Sequence, residues 1–152
     1  GFSDLFPEDV AAEAEAVPDR VRPEERAGRR DLTSLRLVTI DGEDARDFDD
    51  AVHVERLTGR RGGGWRLRVA IADVSHYVRP GSALDAEALR RSTSVYFPQL
   101  VLPMLPERLS NGICSLNPEV ERLCLVADMR VGGRGEVGAT EVYPAVMRSA
   151  LT

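Results

Sequence analysis

Asp41-Gly42-Glu43-Asp44-Ala45-Arg46-Asp47-Phe48-Asp49-Asp50 places six acidic residues and one arginine in ten consecutive positions. The local charge of −5 equals the net charge of the whole chain, so the 19 acidic and 19 basic residues elsewhere cancel. Carboxylates this close repel one another, and screening over about 10 Å at moderate salt barely relieves neighbours within one loop. A fold that keeps such a cluster neutralises it with basic side chains brought in from elsewhere or with a bound cation. Leu35-Arg36-Leu37-Val38-Thr39-Ile40 before it and Ala51-Val52-His53-Val54 after it are rich in β-branched and aliphatic residues, the composition of strands. The acidic stretch therefore leaves one strand and enters another, an ordered loop on a sheet.

The chemistry of that loop is that of hard oxygen donors. No Cys or His pair accompanies it, which favours Mg²⁺, Mn²⁺ or Ca²⁺ over zinc. An EF-hand read from Asp41 needs Gly at its sixth position and Glu at its twelfth. Arg46 and Val52 stand there instead, and that reading fails. Every basic residue is arginine, so a lysine base or Schiff base is excluded.

A length of 152 residues with 43% hydrophobic content supports one domain with a core. The sequence holds no apolar run of about 18 residues and no basic-then-apolar leader, so no membrane role is expected. Cys114 and Cys124 read as reduced, buried thiols of a cytoplasmic protein, in preference to a disulfide. The mild acidity argues against a broad basic face for duplex nucleic acid, and leaves room for a narrow arginine-lined path for a single strand.

Residues 1–31 read as a lead-in outside the sheet, and residues 32–152 as the domain proper. Pro7-Glu8-Asp9 opens a helix running to Val17, and Pro18 to Arg30 reads as an extended connector. A strand from Ala51 to Leu57, the Gly-rich connection Thr58–Gly64 and the alternating strand Trp65–Ile71 form a hairpin. That hairpin brings Asp73 towards the acidic loop, as a secondary site candidate or a plain turn residue. Ser82 caps a helix over Ala83–Arg91. Residues 93–118 hold four prolines and little periodicity, a length of irregular chain that is functional or wraps the domain. Strands at Arg122–Val131 and Glu136–Met147 close the chain, joined by Gly132-Gly133-Arg134-Gly135. The fold class is α+β: a mixed, largely antiparallel sheet, a few helices and one long irregular segment.

Four blocks in this order resemble a known family. Thr39-Ile40-Asp41 through Asp50-Ala51-Val52, Ile71-Ala72-Asp73-Val74-Ser75-His76-Tyr77-Val78, Ser94-Val95-Tyr96-Phe97-Pro98 and Pro103-Met104-Leu105 through Cys114-Ser115-Leu116 look like the catalytic domain of the ribonuclease II / ribonuclease R family. The wording Ser-His-Tyr and Val-Tyr-Phe-Pro is closer to the ribonuclease R branch. The resemblance implies an RNB-type hydrolytic exoribonuclease that works from the 3′ end of single-stranded RNA and releases nucleoside 5′-monophosphates. It places the family's site aspartates on Asp41, Asp47, Asp49 and Asp50, holding Mg²⁺ (Mn²⁺ as the substitute), and the base-stacking aromatic on Tyr96. It also implies that this chain is the N-terminal part of the domain, inactive or weakly active alone, with the remaining half and flanking oligonucleotide-binding domains in the full-length protein.

The chemistry agrees with that assignment, because phosphodiester hydrolysis needs an activated water and neutralisation of a charged phosphate, and divalent ions supply both. The spacing n, n+6, n+8, n+9 fits no single face of a helix or strand and demands a folded loop, with Gly42 in a turn. Asp41 and Asp50 are the expected direct ligands, with Asp47 and Asp49 as ligands or water-positioning groups. Glu43 and Asp44 are expected to be solvated or to pair with Arg46. His53, His76 and Trp65 are expected to pack, and Arg60, Arg61 and Arg134 to be exposed charges. The competing class is a non-catalytic RNA- or protein-binding module with a structural cation in the loop; the presence of all four aspartates argues against it.

Overall fold

The computed structural model describes residues 5–58 and 63–151; the expectations for Arg60 and Arg61 lie outside them. Five strands build the sheet: β1 (Arg30–Val38), β2 (Asp50–Leu57), β3 (Gly64–Ala72), β6 (Glu121–Gly132) and β7 (Val137–Leu151), with β4 (Val95–Phe97) and β5 (Leu100–Leu102) forming a separate hairpin. The helices are α1 (Glu8–Ala16), α2 (Val74–Tyr77) and α3 (Ala83–Arg91).

The sheet closes into a barrel in the order β1-β2-β3-β6-β7, which the α+β expectation of a mixed, largely antiparallel sheet did not include. Each strand runs antiparallel to the one before it. An alternating series of five returns to its starting direction, so the closing pair β1–β7 is parallel. The β1–β2 seam is thin, with Val38 opposite Val52 as its single matched pair. The acidic loop is the connection across that seam. β1 also starts earlier than the sequence suggests: Asp31 accepts hydrogen bonds from the Thr33 amide and hydroxyl, and the register shifts between Leu32 and Leu37. That irregularity masks the alternation ahead of Leu35.

A narrow barrel has little interior volume. Alanines at 51, 70, 72 and 145 therefore share it with Leu37, Val126 and Met147. A second core lies outside, where Val10 and Ala14 of α1, four residues apart on one helix face, meet Leu84 of α3 and Leu105, Leu109 and Ile113. Ser82 caps α3 as expected, its hydroxyl accepting from the Asp85 amide at 3.1 Å. Glu13 of α1 adds a second cap, accepting from the Ala83 and Leu84 amides at 3.0 Å each.

Other departures have clear causes. Pro18–Arg30 is no plain connector: it contains a 3₁₀ turn at Pro23–Arg26, and its Arg26 donates to Glu121 of β6. The irregular segment 93–118 holds the β4–β5 hairpin and a loose helical turn at Arg108–Ile113 whose inner face joins the second core. Trp65 remains 43% exposed, with the Arg56 guanidinium 5.8 Å from its ring centroid, so it does not pack inside. Both cysteines are free and buried, and burial pushes each thiol up to about 12. Among the described residues no helix is long and apolar enough to cross a membrane.

Candidate active site

The acidic loop owes its shape to bonds made by its backbone. Gly42 opens a turn closed by the Ala45 amide donating to its carbonyl at 3.0 Å. From Arg46 to Asp49 the chain is irregular, and several of its polar groups are taken up in succession. The buried Ser115 hydroxyl donates to the Arg46 carbonyl at 2.9 Å and accepts from the Phe48 amide at 3.0 Å. The Leu116 amide donates to the Phe48 carbonyl at 2.8 Å, and the Ala72 amide to that of Asp49 at 2.9 Å.

Side chains alternate about Phe48. Phe48 packs against the barrel core, and its neighbours Asp47 and Asp49 both line a cleft on the outside. That cleft, ≈ 610 Å³, is walled by Arg46, Ser94, Tyr96, Ser110 and Asn111 among others. A second of ≈ 370 Å³ adjoins it, sharing Asp47, Asp49, Ser94, Tyr96 and Ser110. Asp41 and Asp50 line neither cleft; both are exposed, Asp50 as the first residue of β2. Three of the four nevertheless act on Asp49. Burial, then the charges of Asp47, Asp50 and Asp41, raise the Asp49 carboxyl above its ordinary range.

Among the described residues no arginine lies within ion-pair distance of these four aspartates, although arginine pairs are common elsewhere. Glu43 and Asp44 are exposed and form no ion pair with Arg46 among the described residues, which leaves them solvated. The uncompensated hard-oxygen donors match a divalent cation of the Mg²⁺ type in charge and chemistry. Among the described residues, however, no three carboxylate, histidine or cysteine side chains already converge as a ligand shell.

Tyr96 projects from β4 with 61% of its surface exposed, and its hydroxyl donates to Asp47 Oδ2 at 2.5 Å. That bond, and then burial, push the phenol above its ordinary value and keep it a donor. Ser94 fixes the base of the hairpin by accepting from the Met104 amide at 2.9 Å.

The other candidates have structural roles. Asp73 follows Ala72, so its backbone adjoins the loop, but its carboxylate takes Arg29 at 2.6 Å and Ser75 at 2.8 Å. Burial pushes Asp73 up, yet those hydrogen bonds prevail and hold it below its usual range. His76 bridges Arg29 at 3.3 Å and Glu25 at 2.9 Å. His53 Nδ1 faces Arg68 at 3.0 Å. Arg134 is exposed in its turn, as expected. Sequence reasoning assigned no role to Ser94, Ser110, Asn111 or Ser115; none carries charge or periodicity that would single it out.

Comparison with known proteins follows the same lines. The model of the RNB domain matches residues 29–151. Ribonuclease R of Escherichia coli (strain K12) is 58% identical over 95% of this chain, which spans 18% of that relative. The solved structure of Mycoplasma genitalium RNase R in complex with ribose-methylated single-stranded RNA superposes with a TM-score of 0.89 at 37% identity, covering 97% of this chain and 22% of that one. Yeast Ssd1, described as a pseudonuclease, superposes with a TM-score of 0.72 at 22% identity over 89% of this chain and 17% of its own, a likeness of fold alone. The acidic loop, the barrel that carries it and the β4–β5 hairpin all fall inside the matched span, and this chain belongs to the RNB-domain family.

Proposed function

We propose that residues 32–152 form the N-terminal part of the catalytic domain of a hydrolytic, Mg²⁺-dependent 3′-to-5′ exoribonuclease of the cytoplasm, with Mn²⁺ able to substitute. Its substrate is the 3′ end of single-stranded RNA and its products are nucleoside 5′-monophosphates. The observation that carries this reading is the cluster around Asp49: its carboxyl is raised by burial and by the charges of Asp47, Asp50 and Asp41, Asp47 and Asp49 line a cleft, and no described arginine neutralises the four.

A divalent ion held there supplies a Lewis acid that activates water and offsets the charge of the phosphate. Asp47 and Asp49 present their carboxylates on the cleft side, and Asp41 and Asp50 add charge from the loop's two ends. The exposed Tyr96 ring offers a stacking face for the terminal base, which suits an enzyme indifferent to sequence. Arg46, in the same cleft wall, offers a cation to an RNA phosphate. The remaining substrate-gripping groups and the oligonucleotide-binding domains belong to the rest of the full-length protein, so this chain alone has little or no activity.

Support comes from the 58% identity to a ribonuclease R and from the RNA-bound neighbour. The fold by itself does not decide between a nuclease and a binding module, since a pseudonuclease shares it; the presence of all four aspartates favours the nuclease. Asp49→Asn in the full-length protein is expected to abolish mononucleotide release from 3′-labelled RNA while RNA binding persists. Unchanged hydrolysis would overturn the assignment.

A further inference from the structure

The backbone on both sides of Asp47 is held by one side chain. The peptide plane before Asp47 contains the Arg46 carbonyl, and the plane after it contains the Phe48 amide. The Ser115 hydroxyl donates to the first at 2.9 Å and accepts from the second at 3.0 Å. Holding both flanking planes fixes the two soft dihedrals of Asp47, and so the direction in which its carboxylate leaves the chain.

Ser115 is itself immobilised. It is fully buried. Its carbonyl accepts from Arg122 Nε at 2.9 Å, and its amide donates to the Gly112 carbonyl at 3.1 Å. The next residue continues the clamp, with the Leu116 amide bonded to the Phe48 carbonyl. We infer that Ser115 is a positioning residue for the acidic loop: it aims Asp47, and through the alternation about Phe48 also Asp49, and thereby sets the affinity for the divalent cation. The inference rests on the reading of that loop as a cation site.

The residue type matters. Alanine would leave a buried carbonyl and a buried amide without partners. Threonine adds a methyl group to a position with no exposed surface. Cysteine keeps the shape but is a weak donor and a weak acceptor.

The test uses the full-length protein, with Mn²⁺ binding followed by electron paramagnetic resonance without RNA and amide hydrogen exchange read at Phe48. S115A is expected to weaken Mn²⁺ binding roughly 10- to 100-fold, the range for partners that orient metal ligands, and to speed exchange at Phe48. S115C, nearly isosteric and able to keep the buried site filled, is expected to fall between S115A and the unaltered protein. V126A, a core truncation on the far wall of the barrel, serves as the stability control and should lower the thermal midpoint without changing Mn²⁺ affinity. Unaltered Mn²⁺ affinity in S115C and S115A, or an equal loss in V126A, would overturn the role of Ser115. Failure of the cation-site reading looks different: the unaltered protein and Asp49→Asn would then bind Mn²⁺ equally.

Discussion

Tyr96 offers two separate chemistries, a ring open to solvent and a hydroxyl committed to Asp47, and substitution separates them. On an Asp49→Asn background, where RNA is bound without being cut, Tyr96→Ala is expected to weaken binding of a single-stranded oligonucleotide by about 1–3 kcal/mol, the range for one base–aromatic stack. Tyr96→Phe keeps the ring and is expected to bind within twofold of the parent. Fluorescence anisotropy measures both, and an equal loss in the two variants would assign the effect to the hydroxyl. The same contrast explains what the sequence discloses at this scale. Six acids in ten positions announce themselves through repulsion, and Tyr96 through a motif. The hydroxyl of Ser115 has no charge or period, and its importance depends on a partner 67 residues away.

Asp128 of β6 ties three strands together. It accepts from Arg66 and Arg68 of β3 at 2.8 and 3.1 Å and from Tyr143 of β7 at 3.0 Å. The hydrogen bonds from Arg66, and then from Tyr143, overcome burial and hold its carboxyl down at about 2. An unfolded aspartate titrates near 3.9, so the folded state binds its proton more weakly. The stabilisation is then present in full well above about pH 4 and is lost as pH falls through about 2, a contribution of roughly 2–3 kcal/mol. Asp128→Asn is expected to remove that part of the acid limb, so that urea midpoints of the variant and the parent converge below pH 3; a constant gap down to pH 2 would refute it. At the scale of elements, strands with clean alternation such as β3 were legible, as was α3 from its serine cap and its terminal arginines. Barrel closure was not, because it depends on β1 meeting β7, residues more than a hundred positions apart. The β4–β5 hairpin was hidden by its three-residue strands, too short to show a period.

A buried ion pair next to Val74, which packs against both cores, also anchors the lead-in. Arg29 lies just before β1 and Asp73 just after β3, 2.6 Å apart with side chains only 10% and 7% exposed. Around them the Asp73 amide donates to the Leu123 carbonyl of β6, and His76 links Arg29 to Glu25. The match to the RNB domain begins at Arg29, the residue that ties the N-terminal segment to the barrel that carries the acidic loop. Sequence patterning treats a charged residue in a Pro- and Gly-bearing stretch as solvated connector, because nothing local records that a carboxylate 44 residues later will be buried against it. Removing one partner of a buried pair leaves the other charge stranded, at a cost of about 3–5 kcal/mol. Arg29→Met is therefore expected to destabilise the protein by that amount, with the hydrogen-exchange protection of β1 and α2 lost together. Adding Asp73→Asn removes the stranded charge, so the double variant should be more stable than Arg29→Met alone. Denaturant titration of the four proteins yields the coupling energy directly. Simple additivity would mean that the contact does not join lead-in and barrel into one cooperative unit.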